Sequence, residues 1–408
     1  MRDDAVRAQV LELQPEQVRG ALVSRLGLRQ RAREGGEGGA RQLLRHLRHI
    51  QLDPLDVLGQ NAELVAFARL PGLKRGELFG HLLPGGAFEH FAKEACLLPA
   101  EYFPAYRDRA VQAPWWRLGD RLARLDAGLI QDVLDEVRDR GPSAPGDLTD
   151  RGAVRPIDWS GWMGTGKAVT MALEVLRTRC ELVVAGRRGR QKVYDLPERA
   201  LGHHASAPPP PDVDRWAVLE RVAAAGGLLA ESTGPWWSSL SGVRLSGLPG
   251  RLVDEGVLRR VKVKGASRTY LMAPDFLEGG DDLPDDGALR VLAPLDPLIW
   301  DRALVKAAFG FDYVWEVYKP AEARRFGWYV CPLLHQGELV GRIEARIEAE
   351  PKKKASAGGE GPRLRVDRLW EEPGRRIDLD ALRHALGDHA ARCDAVLGPI
   401  PPAEPTPG

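Results

Sequence analysis

The sequence predicts an α+β protein in which one outline, a pair of helices followed by a short basic hairpin, recurs ahead of a C-terminal antiparallel β-rich domain. Three observations predict it. Apolar residues at helical spacing give way twice to alternating β-type runs. A proline-rich connector separates those two repeats. The last third of the chain is aromatic and β-branched. Helices closed by a hairpin are the outline of a winged helix-turn-helix.

The elements follow in chain order. Residues 10–118 form a first and less tidy unit, in which Leu43, Leu44, Leu47 and Ile50 make one helical face. The stretch QLDPLDVL (51–58) carries too many Asp and Pro residues to continue that helix. In the second unit, 119–204, Leu129, Ile130, Val133, Leu134 and Val137 mark a helix stopped by Gly141-Pro142. Val169, Ala172, Leu173 and Leu176 mark the next helix, and 181–196 reads as two strands about a glycine turn. Residues 205–212, ASAPPPPD, form a stiff connector. The third unit, 213–278, has a helix over Trp216, Leu219 and Ala223, a short helix at 251–256 with Pro249 in its first turn, and a hairpin at 257–272. The final domain, 288–400, reads as sheet over 295–372 with a hairpin turn at His335-Gln336-Gly337-Glu338. A closing helix falls within 378–397. An exposed loop is expected at 350–363 and a frayed tail at 402–408.

Charge and composition exclude several classes. Fifty-eight Lys and Arg against 57 Asp and Glu leave a net charge of +1 over 408 residues, so the chain is neither a uniformly basic histone-like protein nor an acidic disordered one. Its four cysteines, Cys96, Cys180, Cys331 and Cys393, form no Cys-x-x-Cys pair, which argues against a zinc ribbon or a disulfide scaffold. The opening MRDDAVRAQV lacks the apolar core of a signal peptide, and no run approaches the ~18 apolar residues of a membrane span. A cytoplasmic protein that makes no membrane contact is expected.

The near-zero total hides clustered charge. From Leu182 to Tyr194 there is no acid, while Arg187, Arg188, Arg190 and Lys192 are basic. From Gly256 to Pro274 there is again none, with Arg259, Arg260, Lys262, Lys264 and Arg268 present. Basic hairpins behind helix pairs suit the phosphate backbone of duplex DNA. A solvated hairpin guarding its own edge with lysines explains one such cluster, but explains two in tandem poorly. The run GWMGTGKA (161–168) imitates a nucleotide-binding loop. Ala168 stands where the magnesium-binding hydroxyl belongs, and no suitable strand precedes it. Lys167 and Thr170 are better placed at a helix N-terminus that holds one DNA phosphate.

The strongest catalytic candidate is RHIQLDPLDVL (48–58). Pro54 pushes Asp53 into an extended conformation, so alternation turns Gln51 and Asp53 to one face, about 7 Å apart along the strand. An amide and a carboxylate so placed suit the holding and deprotonation of one water. A turn-capping Asp53 beside a surface Gln51 explains the same spacing. His46, His49, His81 and His90 lack metal-ligand spacing and read as ordinary core or surface residues; no metal or other cofactor is expected.

Gln51-Leu52-Asp53-Pro54, FARLPG (67–72), FEHFAKEACLLP (88–99), 165–189 and 292–345 together resemble the AlkZ/YcaQ family of bacterial winged-helix DNA glycosylases. The resemblance runs from about residue 15 to 397, and Asp53 at the signature's third place makes the chain similar to the YcaQ branch. It implies three tandem winged helices and catalytic roles for Gln51 and Asp53, with alkylated and interstrand-crosslinked duplex DNA as substrate. The sequence departs at Gln60-Asn61-Ala62, where that branch often carries histidine. Gln60 and Asn61 therefore become further site candidates, as do Glu89 and Glu94. The activity implied is that of a metal-independent, monofunctional glycosylase; a monomer is expected because tandem modules already supply the multivalency that a dimer would provide. A winged-helix transcriptional regulator without enzymatic activity is the rival; it leaves Gln51, Asp53 and the C-terminal sheet without a role.

Overall fold

The computed structural model describes residues 10–32, 34–112, 117–155, 157, 165–278, 284–349 and 361–407. In the first body the helix Gly36–Leu47 buries Leu43, Leu44 and Leu47. It stops at Arg48, a non-glycine residue with φ of 65°. That left-handed turn is held from outside, because the Arg48 guanidinium donates to Tyr102 Oη (3.1 Å) and Glu220 Oε2 (2.6 Å). The chain then enters the strand Ile50–Gln51, which pairs with Ala95–Pro99 of the hairpin Ala87–Phe91/Ala95–Pro99. All three strands are antiparallel, and helices Asn61–Phe67 and Glu77–Leu82 complete the body.

The second body follows the sequence closely. Helices Ala127–Arg140 and Ala168–Thr178 pack together beneath the hairpin Val183–Arg188/Gln191–Asp195, whose turn runs through Gly189 at φ +59°. Residues 161–164 of the loop-like run lie outside the described residues, as does most of 350–363. Of the connector expected at 205–212, Ala205 closes the 3-10 helix Gly202–Ala205 and 206–212 carry neither helix nor strand.

The third body corrects an expectation. Its hairpin, Arg259–Val263/Thr269–Met272, is not a free two-stranded wing. Leu228–Ala230 flanks one side, and Leu11–Leu13 from the start of the chain adds in parallel on the other, giving four strands. Leu22 and Leu26 of the following N-terminal segment pack against Gly226. The strand Leu11–Leu13, assigned by sequence to the first unit, therefore serves the third, while the helix Pro15–Arg25 behind it also packs on Arg302–Phe309 of the C-terminal body. The physical reason is the edge of Arg259–Val263, whose backbone N–H and C=O groups would stand unpaired if Leu11–Leu13 did not add to it. Pro249 lies in the first turn of the helix Leu248–Asp254, where its missing N–H costs nothing.

The C-terminal body is an antiparallel sheet of Arg290–Val291, Val330–His335, Glu338–Glu348 and Arg363–Glu371. Gln336 (φ 49°) and Gly337 (φ 76°) form the tight turn expected at 335–338. Helix Leu379–Arg392, capped by Asp378, packs against it. Two expectations fail here. Arg302–Phe309, read as sheet, is a helix capped by Asp301, whose Oδ1 accepts from Leu304 N at 3.1 Å. The expected frayed tail instead adds Glu404–Pro405 in parallel to Trp370–Glu371, and Thr406 Oγ1 donates to Glu371 O (2.6 Å). The fold is α+β. Among the described residues no helix is long and apolar enough to cross a membrane.

Candidate active site and nucleic-acid interface

Between the first and second bodies lies a cleft of about 530 Å3. Leu52, Asp53, Pro54 and Gln60 form one wall, and Arg187, Gly189, Arg190 and Lys192 of the second body's hairpin form the other. Asp53 sits just past the short strand, where its Oδ1 accepts from Leu55 N at 2.9 Å in an Asx-type turn. Its carboxyl is half-buried, and burial raises its pKa above the ordinary value against the lowering effect of that hydrogen bond. A carboxylate so poised has one free oxygen and an elevated basicity.

Gln51 stands differently. It is buried and is not among the cleft's lining residues. Its Oε1 accepts from Lys93 Nζ at 3.1 Å, and its backbone O accepts from Asn61 Nδ2 at 2.8 Å. The neighbouring pair inferred from alternation is thus divided. Leu52 and Asp53 open to the cleft, while the Gln51 amide faces an ammonium. Lys93 lies in the turn of the hairpin Ala87–Phe91/Ala95–Pro99, with Nζ 4.8 Å from the Trp300 ring centroid, and burial lowers its pKa to about 8. The sequence reading missed Lys93; the one available signal was a lysine in a turn between two apolar strands.

The other candidates separate by role. Asn61 is buried and also accepts from Leu295 N (3.2 Å), tying the signature strand to the C-terminal body. Gln60 lines the cleft. Glu94 is exposed in the hairpin turn, whereas Glu89 is buried and faces the basic wall. Glu89 pairs with Arg187, whose guanidinium also lies 4.8 Å from the Phe79 ring centroid, and with Lys192 at 3.3 Å. Lys192 further reaches Glu174 (3.4 Å), a carboxylate that two cations and Tyr194 Oη hold well below its usual range despite burial. Arg190, at the hairpin tip, is 78% exposed, with only a 3.6 Å contact to Asp56. Exposed Arg188 donates from one guanidinium nitrogen, Nη1, to both carboxylate oxygens of Asp147 (2.9 and 3.0 Å).

Lys167 and Thr170 are exposed at the start of Ala168–Thr178, and Lys167 Nζ lies 3.6 Å from Asp150. On the third body Arg259, Lys262 and Lys264 are exposed, Arg260 is bidentate on Glu231, and Arg268 lies 3.7 Å from Asp301. None of this second group lines the cleft. Among the described residues no group of three or more His, Cys, Asp or Glu could hold a metal ion. His49 and His90 are buried, and burial together with neighbouring arginines depresses both, His90 to about 3. All four cysteines are buried free thiols.

The cleft thus sets one half-buried carboxylate, Asp53, opposite the cations Arg187, Arg190 and Lys192. Residues 44–395 match the family described as DNA glycosylase AlkZ-like, and the chain belongs to that family of DNA-repair glycosylases. Its fold is similar to that of the Streptomyces sahachiroi DNA glycosylase AlkZ, with a TM-score of 0.55 over 97% of this chain and 100% of that one, at 18% identity.

Proposed function

We propose that this chain hydrolyses the N-glycosidic bond of N7-alkylguanine-type bases in duplex DNA and unhooks interstrand crosslinks built on them. Asp53 serves as base and as stabiliser of the sugar cation. Alkylation at N7 gives the purine a positive charge, so the C1′–N9 bond breaks with its electron pair returning to the base. The sugar then passes through an oxocarbenium-like state, as in other glycoside hydrolysis. Asp53 offsets that developing charge and takes a proton from the water whose oxygen bonds to C1′. Gln51, buried outside the cleft lining with its side-chain oxygen held by Lys93 and its backbone oxygen by Asn61, acts in this reading as a positioning residue that fixes the chain just before Asp53.

The observation that carries this reading is the half-buried, basicity-raised Asp53 at the foot of a cleft walled by Arg187, Arg190 and Lys192. A cleft of about 530 Å3 that opens to solvent favours a base still tethered to the opposite strand, which ordinary flipping into a closed pocket does not accommodate. The helix–hairpin bodies act in this reading as three winged helices that grip the duplex, with Lys167, Thr170, Arg188 and the cations at 259–268 on phosphates.

The test is base release from duplex DNA bearing a single N7-methylguanine or a nitrogen-mustard crosslink, read as alkali-labile strand breaks. Wild type should cleave, and Asp53→Asn should lose cleavage while keeping DNA affinity. Equal activity in Asp53→Asn removes Asp53 from the mechanism. A sequence-specific footprint without base release would make the chain a regulator.

A further inference from the structure

The loop that leaves the signature strand for helix Asn61–Phe67 returns to the same cleft. Asp53 near its start and Gln60 at its end line one wall. The loop is closed by an antiparallel bridge between Asp56 and Gln60, and Asp56 is held in turn by Arg75 at 2.5 Å. Leu64 N donates to Gln60 O at 3.0 Å, so the backbone of Gln60 is fixed as the N-cap of the helix. Its side chain is not. The N-cap position favours Ser, Thr, Asp or Asn, whose short side chains accept from the first amides of a helix. Gln60 makes no such bond, and among the described residues no hydrogen bond engages its amide. A helix start that forgoes its cap leaves that amide to the cleft.

The other groups of the cleft give the amide its use. Asp53 Oδ1 is taken by Leu55 N, so Oδ2 remains to hold a water. That water must donate its second hydrogen to another acceptor if a lone pair is to face C1′. Arg187, Arg190 and Lys192 only donate, and a donor would occupy the lone pair that has to attack. Glu89 is buried and committed to Arg187 and Lys192. Gln51, the amide that the sequence pairs with Asp53, is buried off the cleft with its Oε1 on Lys93. Among the described residues that line the cleft, Gln60 is the one whose side chain is neutral and accepts a hydrogen bond.

We propose that Gln60, and not Gln51, orients the hydrolytic water beside Asp53. The Gln60 Oε1 accepts one hydrogen of that water. Asp53 takes the other as a proton while the water oxygen bonds to C1′ and the C1′–N9 electron pair leaves with the purine. This rests on the hydrolysis proposed above.

The full chain is assayed by single-turnover release of 7-methylguanine from duplex DNA as a function of pH. Binding is measured separately on a duplex carrying 2′-fluoro-N7-methylguanine, whose glycosidic bond resists cleavage. Gln60→Ala should slow release about 100-fold, the cost of a misplaced reactant, with affinity for the uncleavable duplex unchanged. Gln60→Glu keeps the size of the side chain and sets a second carboxylate beside Asp53. Like charges raise one another's pKa, so the acid limb of its rate profile should move to higher pH. An unchanged rate in Gln60→Ala overturns the assignment. So does a loss of affinity that accounts for the slower release, which would make Gln60 a DNA contact. An acid limb that stays in place in Gln60→Glu also overturns it, since the side chain would then lie away from Asp53. No release by the wild type would defeat the hydrolytic reading and this assignment together, whereas release by the wild type with both variants unaltered would defeat this assignment alone.

Discussion

Arg187 is the residue for which sequence and structure suggest different jobs, and its replacement distinguishes them. Read from sequence, it is a phosphate contact whose loss weakens DNA binding and leaves the fold alone. In the structure its guanidinium neutralises the buried Glu89 and stacks on Phe79. Removing one partner of a buried ion pair costs about 3–5 kcal/mol, because the other charge stays behind unpaired. Lys192 remains 3.3 Å from Glu89, which places Arg187→Met near the lower end, about 3 kcal/mol. Loss of the cation–π contact adds about 0.5–1 kcal/mol. Urea unfolding followed by tryptophan fluorescence should therefore show a clear fall in midpoint. Adding Glu89→Gln to Arg187→Met should restore part of the loss, giving a double mutant more stable than the sum of the singles. If Arg187→Met stays within about 0.5 kcal/mol of wild type, the span of ordinary surface substitutions, the structural role assigned to Arg187 is wrong.

Arg190 should behave in the opposite way: Arg190→Ala leaves stability unchanged, weakens duplex binding irrespective of sequence, and lowers the salt slope of log K by about 1. In the pH profile of kcat/KM the acid limb should lie above the ordinary Asp value of about 3.9, because burial raises Asp53 and only its ionised form accepts a proton. An alkaline limb near the Lys93 value of about 8 should appear as its ammonium releases the Gln51 carbonyl, and Lys93→Met should abolish that limb. Asn61→Ala should destabilise the protein by about 1–3 kcal/mol for each backbone group it orphans, Gln51 O and Leu295 N, measured as a shift in unfolding midpoint.

Local patterns were legible wherever one residue type settles the geometry. Gly141 and Gly189 mark the stop and the turn of the second body. The 3.6-residue spacing of Val169, Ala172, Leu173 and Leu176 is the buried face of its second helix. What the sequence hid was non-local. Nothing in LEL (11–13) says that it pairs with Val261 and its neighbours some 250 residues away, since a three-residue strand has no periodicity of its own to read. Charge clusters were visible, but which cations were free was not: Arg187 and Arg190 look alike in RRGR, and only the burial of Glu89 distinguishes them. For the same reason Asp53 could be picked from its proline neighbour, whereas Lys93 could not. Its nearness to the signature depends on how the hairpin at 87–99 folds back upon it.

The division of labour among the bodies follows from how the signature strand is fixed. Ile50–Gln51 is two residues long and pairs with one neighbour, so its ladder alone is too short to hold a catalytic carboxylate still. Rigidity comes from outside the ladder. Asn61 clamps Gln51 O to Leu295 N, and Ile347 N donates to Val57 O at 2.9 Å. The fully buried Arg69 binds Asp296 with two hydrogen bonds of 2.7 and 2.9 Å. All three ties run to the C-terminal body. A charge pair with its donors satisfied on both sides gives a directional bond rather than net stability, and directional bonds are what an inter-body joint needs. The second body is joined to the cleft by another kind of contact, chiefly the ion pairs of Glu89 with Arg187 and Lys192. One wall of the site is thus tied to the C-terminal body by directional hydrogen bonds, while the opposite wall is held by ion pairs to one buried carboxylate.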